Sequence, residues 1–171
     1  EDALAYFRAK GDVLTWNWGE MKQEAHAKAF TVAKVARLDI LKDIRNAVDQ
    51  ALAEGKTEKW FIENLTPVLQ QKGWWGKQMA VDSAGTAKSI QLGSPRRLKT
   101  IYRANLQSAY MMGRQKQMLE YADEYPYAQR VAVMDTRTRP THRALHGLVF
   151  RLNDPVHQYI WPPDDFLCRC R

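Results

Sequence analysis

Apolar residues recur at three- and four-residue spacing through most of this chain, and after Tyr125-Pro126-Tyr127 that period is lost. The change constrains the fold more than any other feature: a long helical portion must be followed by a short region of strands and loops. Leu38, Leu41, Ile44, Ala47, Val48, Ala51 and Leu52 mark a helix over 38–54, and Gly55 suits a left-handed end to it. Thr57 is placed to cap the next helix, which carries Trp60, Phe61, Leu65, Val68 and Leu69. Pro67 lacks an amide donor and crowds the preceding turn, so it is expected to kink or divide that helix. An earlier amphipathic stretch from Glu20 to Phe30 places Met21, Ala25, Ala29 and Phe30 on one side. Gly73-Trp74-Trp75-Gly76 closes the helical lobe, its aromatics reading as packing anchors.

Ser94-Pro95 is a favourable opening for the longest helix, with a hydroxyl at the cap and a fixed φ at the first position. Its buried stripe is expected at Leu98, Ile101, Tyr102, Asn105, Ala109 and Met112, and its end near Ala122. Before it, Val81 to Thr86 is turn-like between weak strand formers, which suits a linker or a small hairpin over 77–94. After it, Arg130 to Met134 reads as a short strand, Pro140 to His146 as a short helix closed by Gly147, and Leu148 to Arg151 as a second strand. The fold class is therefore α+β. A mostly helical lobe spans 1–76, a linker or hairpin 77–94, and the long helix with a small β-containing lobe 95–171.

A length of 171 residues allows one ordinary domain or two small lobes. The chain is 45% hydrophobic and 26% charged, the profile of a globular protein with a core. No apolar run approaches the roughly 20 residues that span a bilayer. The opening EDALAYFRAK lacks the layout of a signal peptide. Both ends read as cuts in a longer protein.

The net charge of +7 is carried by one part of the chain. Residues 1–76 hold 11 basic and 11 acidic side chains, and residues 77–171 hold 15 basic and 8 acidic. Eleven of those 15 are arginine, which suits bidentate contact with carboxylate or phosphate. Arg96, Lys99 and Arg103 form the best local basic stripe, and Arg137, Arg139 and Arg143 form a second group. Two readings stand: pairing with acidic groups inside the fold, which charge runs usually favour, or a face for DNA or an acidic partner.

Four histidines and two cysteines make up most of the reactive inventory. Cys168 and Cys170, two apart in an extended segment, point to one face, while His142 and His146, four apart on a helix, share another. Two imidazoles and two thiolates would suit a tetrahedral zinc ion. The alternative is that the cysteines are small buried hydrophobes and the histidines satisfy local hydrogen bonds, and spacing alone leans that way.

An enzymatic reading would use Asp135 as base with Arg137, Arg139 and His142 as anion clamp, or Asp135, His142 and His146 as the centre of a metal-dependent nuclease or toxin-like enzyme. No second carboxylate follows until Asp154, Asp164 and Asp165, and there is neither a phosphate-cradling glycine loop nor a nucleophile elbow. Asp135 reads better as an acceptor for turn amides and nearby arginines.

Arg96 to Ile101 with Asn105, Ala109, Tyr110, Gly113 and Arg114, then Val133 to His142, His146-Gly147, Val149-Phe150, Pro162-Pro163 and Cys168-Arg169-Cys170 carry a resemblance. So do Tyr6 to Lys10, Ala29 to Lys34 and Gly73 to Gly76. Together they resemble the minor head proteins of Mu-like tailed bacteriophages, a head-morphogenesis family. The resemblance implies a structural protein without catalytic activity, present in few copies near the portal vertex. It would act in procapsid assembly and in the handling of packaged DNA, in the bacterial host cytoplasm and then in the virion head. Its partners would be portal, major capsid or scaffolding proteins, with non-specific DNA contact and no membrane. Wider relatives often carry Cys-x-x-Cys where this chain has Arg139 to His142, and a His near the position of Asp165. In this chain His142 would then stand at the second cysteine position.

Overall fold

The computed structural model describes residues 1–15, 29–81, 85–165 and 167–171. Most of the segment read as the Glu20–Phe30 helix lies outside them. Its last two residues are strand rather than helix, because Ala29 and Phe30 pair in parallel with Gly11 and Asp12. The elements are α1 (Asp2–Arg8), β1 (Gly11–Asp12), β2 (Ala29–Phe30), α2 (Leu38–Glu54), α3 (Glu58–Gln71), β3 (Lys77–Val81), β4 (Ala87–Gln91), α4 (Pro95–Glu120), β5 (Tyr127–Gln129), α5 (Pro140–Ala144), β6 (Val149–Arg151) and α6 (His157–Ile160). The architecture is α+β, helices with small strand pairs. It falls into two compact units: Phe7–Arg103, and Glu1–Tyr6 with Ala104–Arg171. This division by compactness falls within the long helix, whereas the sequence suggests a boundary at 77–94.

In the unit Phe7–Arg103, α2 turns Ile40, Leu41, Ile44, Val48 and Ala51 inward, and α3 turns Phe61, Leu65 and Leu69 inward. The local signals behind these helices operate as expected. Gly55 ends α2 in left-handed conformation at φ 64°, where a side chain would be strained. The Thr57 hydroxyl accepts the Trp60 amide at 3.2 Å. Pro67 does not divide α3, which runs on to Gln71 as one element. The proline removes one intrahelical bond, and the three buried side chains of α3 hold the rest in place.

β3 and β4 form an antiparallel hairpin, Lys77 opposite Gln91 and Val81 opposite Ala87. At its base, the Gly76 amide donates to Gly93 O and the Gly93 amide to Trp74 O. A Cβ on Gly93 would lie 2.5 Å from both Trp74 O and the Trp75 ring, so only glycine fits this crossing. Trp74 is buried, its Nε1–H donates to Lys34 O at 2.9 Å, and the Arg97 guanidinium lies 4.9 Å from its ring centre. Leu98 and Ile101, from the first turns of α4, complete this core. The Ser94 hydroxyl accepts the Arg97 amide at 3.2 Å, the cap that the Ser-Pro pair implies.

In the other unit, the rest of α4 buries Ala109 and Met111. Gly113 of α4 lies against the α1 backbone, where a Cβ would be 2.7 Å from Ala3 N. β5 and β6 pair antiparallel, Ala128 opposite Phe150. The first strand is therefore Tyr127–Gln129, three residues earlier than the run Arg130–Met134 suggests. Val131 is extended but bonds in both directions to Arg171, at 2.6 and 2.9 Å, so the last residue of the chain is sewn to it. The short helix ends at Ala144, two residues before His146, and Gly147 turns the chain at φ 82°. No helix among the described residues is long and apolar enough to cross a membrane.

Candidate metal centre

Three of the four predicted ligands meet. His142 comes from α5, Cys168 and Cys170 come from the extended terminal segment, all three are buried, and their ligand atoms lie within 4.8 Å of one another. His142 Nδ1 is 3.4 Å from Cys170 Sγ and 3.5 Å from Cys168 Sγ. The extended backbone delivers the two sulfurs to one side: Cys168 and Cys170 are buried and Arg169 between them is exposed. Leu167 enters this segment at φ 54°, and the Cys168 amide bonds back to Asp165 O at 3.0 Å.

His146 is not the fourth member. It is exposed, and its Nδ1 accepts the Ala132 amide at 3.1 Å. The four-residue spacing would align it with His142 only on a continuing helix, and α5 stops at Ala144. Asp164 occupies the neighbouring position instead. Its Oδ1 lies 3.6 Å from His142 Nδ1 and 2.8 Å from a terminal nitrogen of Arg130, with 9% of the side chain exposed. Arg130 is itself buried, stands 4.0 Å from Cys168 Sγ, and also donates to Ile160 O. Its Nε is a buried donor with no hydrogen-bond acceptor among the described residues. Burial, with Asp164 adding to it, pushes the Cys168 thiol up to about 12, so this sulfur is a neutral thiol unless a cation joins it. Sequence reasoning groups neither residue with His142 and the cysteines: Asp164 enters it as a distant carboxylate and Arg130 as the start of a strand-like run. Asp164, four before Cys168, carried a weak signal, and Arg130 carried none beyond its place in a strand-like run.

The remaining candidates are dispersed. Asp135 does not join His142 and His146 in a catalytic set. Its carboxylate accepts two bonds from Arg169, at 2.7 and 2.6 Å, and the Arg137 amide at 3.0 Å. Lys99 and Arg103 both pair with Glu58, at 3.1 and 2.6 Å. Arg137 pairs with Asp135 at 3.5 Å and Arg139 with Asp165 at 3.1 Å. Arg143 donates to Thr138 O at 3.1 Å and to Asp135 O. Arg96 is exposed on the first turn of α4. Most of these cations therefore have carboxylate or carbonyl partners inside the fold.

Over its whole length the chain is 55% identical to "Putative capsid assembly protein F" of Escherichia phage Mu. Over 158 residues, 92% of the chain, it is 50% identical to the Mu-like prophage FluMu F protein of Haemophilus influenzae. It spans 39% and 37% of those proteins' lengths. No solved structure matches it. Residues 42–171 match the family described as Phage Mu protein F like protein, and they include the buried histidine, both cysteines and the whole of the long helix. The chain belongs to the Phage Mu protein F-like family.

Proposed function

We propose that this chain is part of a structural head protein of a Mu-like phage or prophage. It would act in procapsid assembly and DNA packaging at the portal vertex, in the bacterial host cytoplasm during assembly and then in the virion head. The observation that carries the reading is the 55% identity, without truncation of this chain, to a protein named for capsid assembly. The role is non-enzymatic. Asp135, the base suggested by the sequence, is occupied by Arg169, and His142 is buried with two cysteines rather than presented to a substrate. Its partners on this reading are portal and major capsid or scaffolding subunits.

The test is a segment exchange. In phage Mu, the matching segment of the capsid assembly protein is replaced by this chain, and heads are counted by electron microscopy and assayed for packaged DNA. Filled heads are expected, and the chimaera should co-purify with portal protein. Normal filled heads when the segment is simply deleted would overturn the reading, as would turnover of DNA by the purified chain with a divalent ion.

A further inference from the structure

The geometry points to a structural zinc site formed by His142 Nδ1, Cys168 Sγ and Cys170 Sγ, three ligand atoms within 4.8 Å of one another, with the Asp164 carboxylate, 3.6 Å from the ring nitrogen, moving in to fill the fourth position. His142 Nδ1 faces three groups at once: Cys170 Sγ at 3.4 Å, Cys168 Sγ at 3.5 Å and Asp164 Oδ1 at 3.6 Å. A ring nitrogen has one lone pair or one N–H, so His142 Nδ1 can make one good hydrogen bond among the three. A cation between the nitrogen and the two sulfurs, whose ligand atoms lie within 4.8 Å of one another, engages all three of those atoms.

The spacing agrees with that centre. Zinc bonds of about 2.3 Å to sulfur and about 2.0–2.1 Å to nitrogen, at tetrahedral angles, set nitrogen and sulfur about 3.5 Å apart. The two sulfur–nitrogen distances are 3.4 and 3.5 Å. Two thiolates with one imidazole select zinc over the hard oxygen-seeking cations.

The charges also close. The Asp164 carboxylate is already balanced by Arg130, 2.8 Å away. Zinc binding releases the two thiol protons to solvent, and two thiolates then balance the ion. The loaded group is then neutral overall, which avoids the large cost of an uncompensated buried charge. The ion would tie the last residues of the chain to α5, and its binding energy would become folding energy for this region.

The test uses the whole chain purified without a histidine tag. Elemental analysis should give about one zinc per chain. Cobalt substitution should give thiolate charge-transfer and tetrahedral d–d bands. Cys170→Ser and His142→Gln should lose those bands, and His146→Gln should keep them. Asp164→Asn should keep the thiolate charge transfer while altering the d–d bands. If Cys170→Ser does not fold, the parent still decides: both thiols should resist alkylation until a chelator is added. A parent that takes up neither metal, with thiols reacting equally fast with and without chelator, overturns the site. So does a cobalt spectrum that survives Cys170→Ser or is lost in His146→Gln.

Discussion

Arg169 grips the carboxylate of Asp135 in two parallel hydrogen bonds, 2.7 and 2.6 Å long, while the residues on either side of it, Cys168 and Cys170, are buried. The alternation of an extended strand makes these one event: fixing Arg169 outward fixes both sulfurs inward. Asp135 is prepared for the grip by its own turn, in which it accepts the Arg137 amide and the Thr138 hydroxyl. The Asp-Thr-Arg-Thr-Arg-Pro stretch and the Cys-Arg-Cys stretch thus act on each other across 34 residues of chain.

That grip has a pH signature. Arg169 first, then the Arg137 amide and the Thr138 hydroxyl, hold the Asp135 carboxyl well below the usual carboxylate range, against a smaller opposing effect of burial. A carboxyl depressed in the folded state adds stability that is complete above its unfolded value, about 3.9, and is lost as pH falls below it. Asp135→Asn should therefore be less stable than the parent at pH 7, and the gap should narrow by pH 3. Urea unfolding at the two pH values measures this. An equal gap at both would show that the charge of Asp135 contributes nothing.

Trp74 should be the more costly of the paired tryptophans to remove. Its ring is buried, its indole N–H donates to Lys34 O, and Arg97 stacks on it, whereas Trp75 is half-buried. Truncating a buried aromatic costs about 3–5 kcal/mol. Trp74→Ala should reach that range in denaturant unfolding, and Trp75→Ala should fall clearly short of it. Equal losses would mean that the two rings carry the same load.

What the sequence made legible was chemistry acting within one or two turns. Thr57, Ser94 and Gly55 cap helices where expected because a cap depends on a few neighbouring amides and one backbone angle. Residues 130–134 have the higher β-propensity, yet the strand lies earlier, at Tyr127–Gln129, because pairing with Val149–Arg151 decides the matter. The face shared by Cys168 and Cys170 followed from a period of two, which any extended segment obeys. The expected face shared by His142 and His146 required two more helical residues than α5 has. Asp164 and Arg130 reach the same place through turns whose geometry no spacing rule encodes.

The basic edge of α4 should bind duplex DNA weakly, without sequence preference, and with a steep loss in salt. Glu58 holds Lys99 and Arg103 and competes with phosphate for them. Replacing Arg96, Lys99 and Arg103 together by Gln should weaken binding at low salt and flatten its salt dependence. Glu58→Gln should strengthen it by releasing two cations. Fluorescence anisotropy with a short duplex, over a salt series, separates the outcomes. Unchanged binding in the triple variant would place any DNA-facing surface elsewhere.

Gly113 offers a test in which two effects oppose each other. In the middle of α4, alanine is the better helix former by roughly 1 kcal/mol, so on propensity alone Gly113→Ala should stabilise the chain. The close approach of α1 argues the other way. The new Cβ would sit 2.7 Å from Ala3 N and 3.1 Å from Ala3 Cα, and both are backbone atoms that cannot swing aside as a side chain can. Relief requires α1 to move outward, which strains the bonds from Lys116 and Gln117 to Asp2, at 2.6 and 3.1 Å. Overpacking of this kind costs about 1–3 kcal/mol, so the clash should outweigh the propensity gain and the variant should melt at a lower temperature. A variant that also lacks residues 1–6 should show the reverse, because only the propensity gain is left. A Gly113→Ala substitution that stabilises the intact chain would mean that α1 does not rest on this helix.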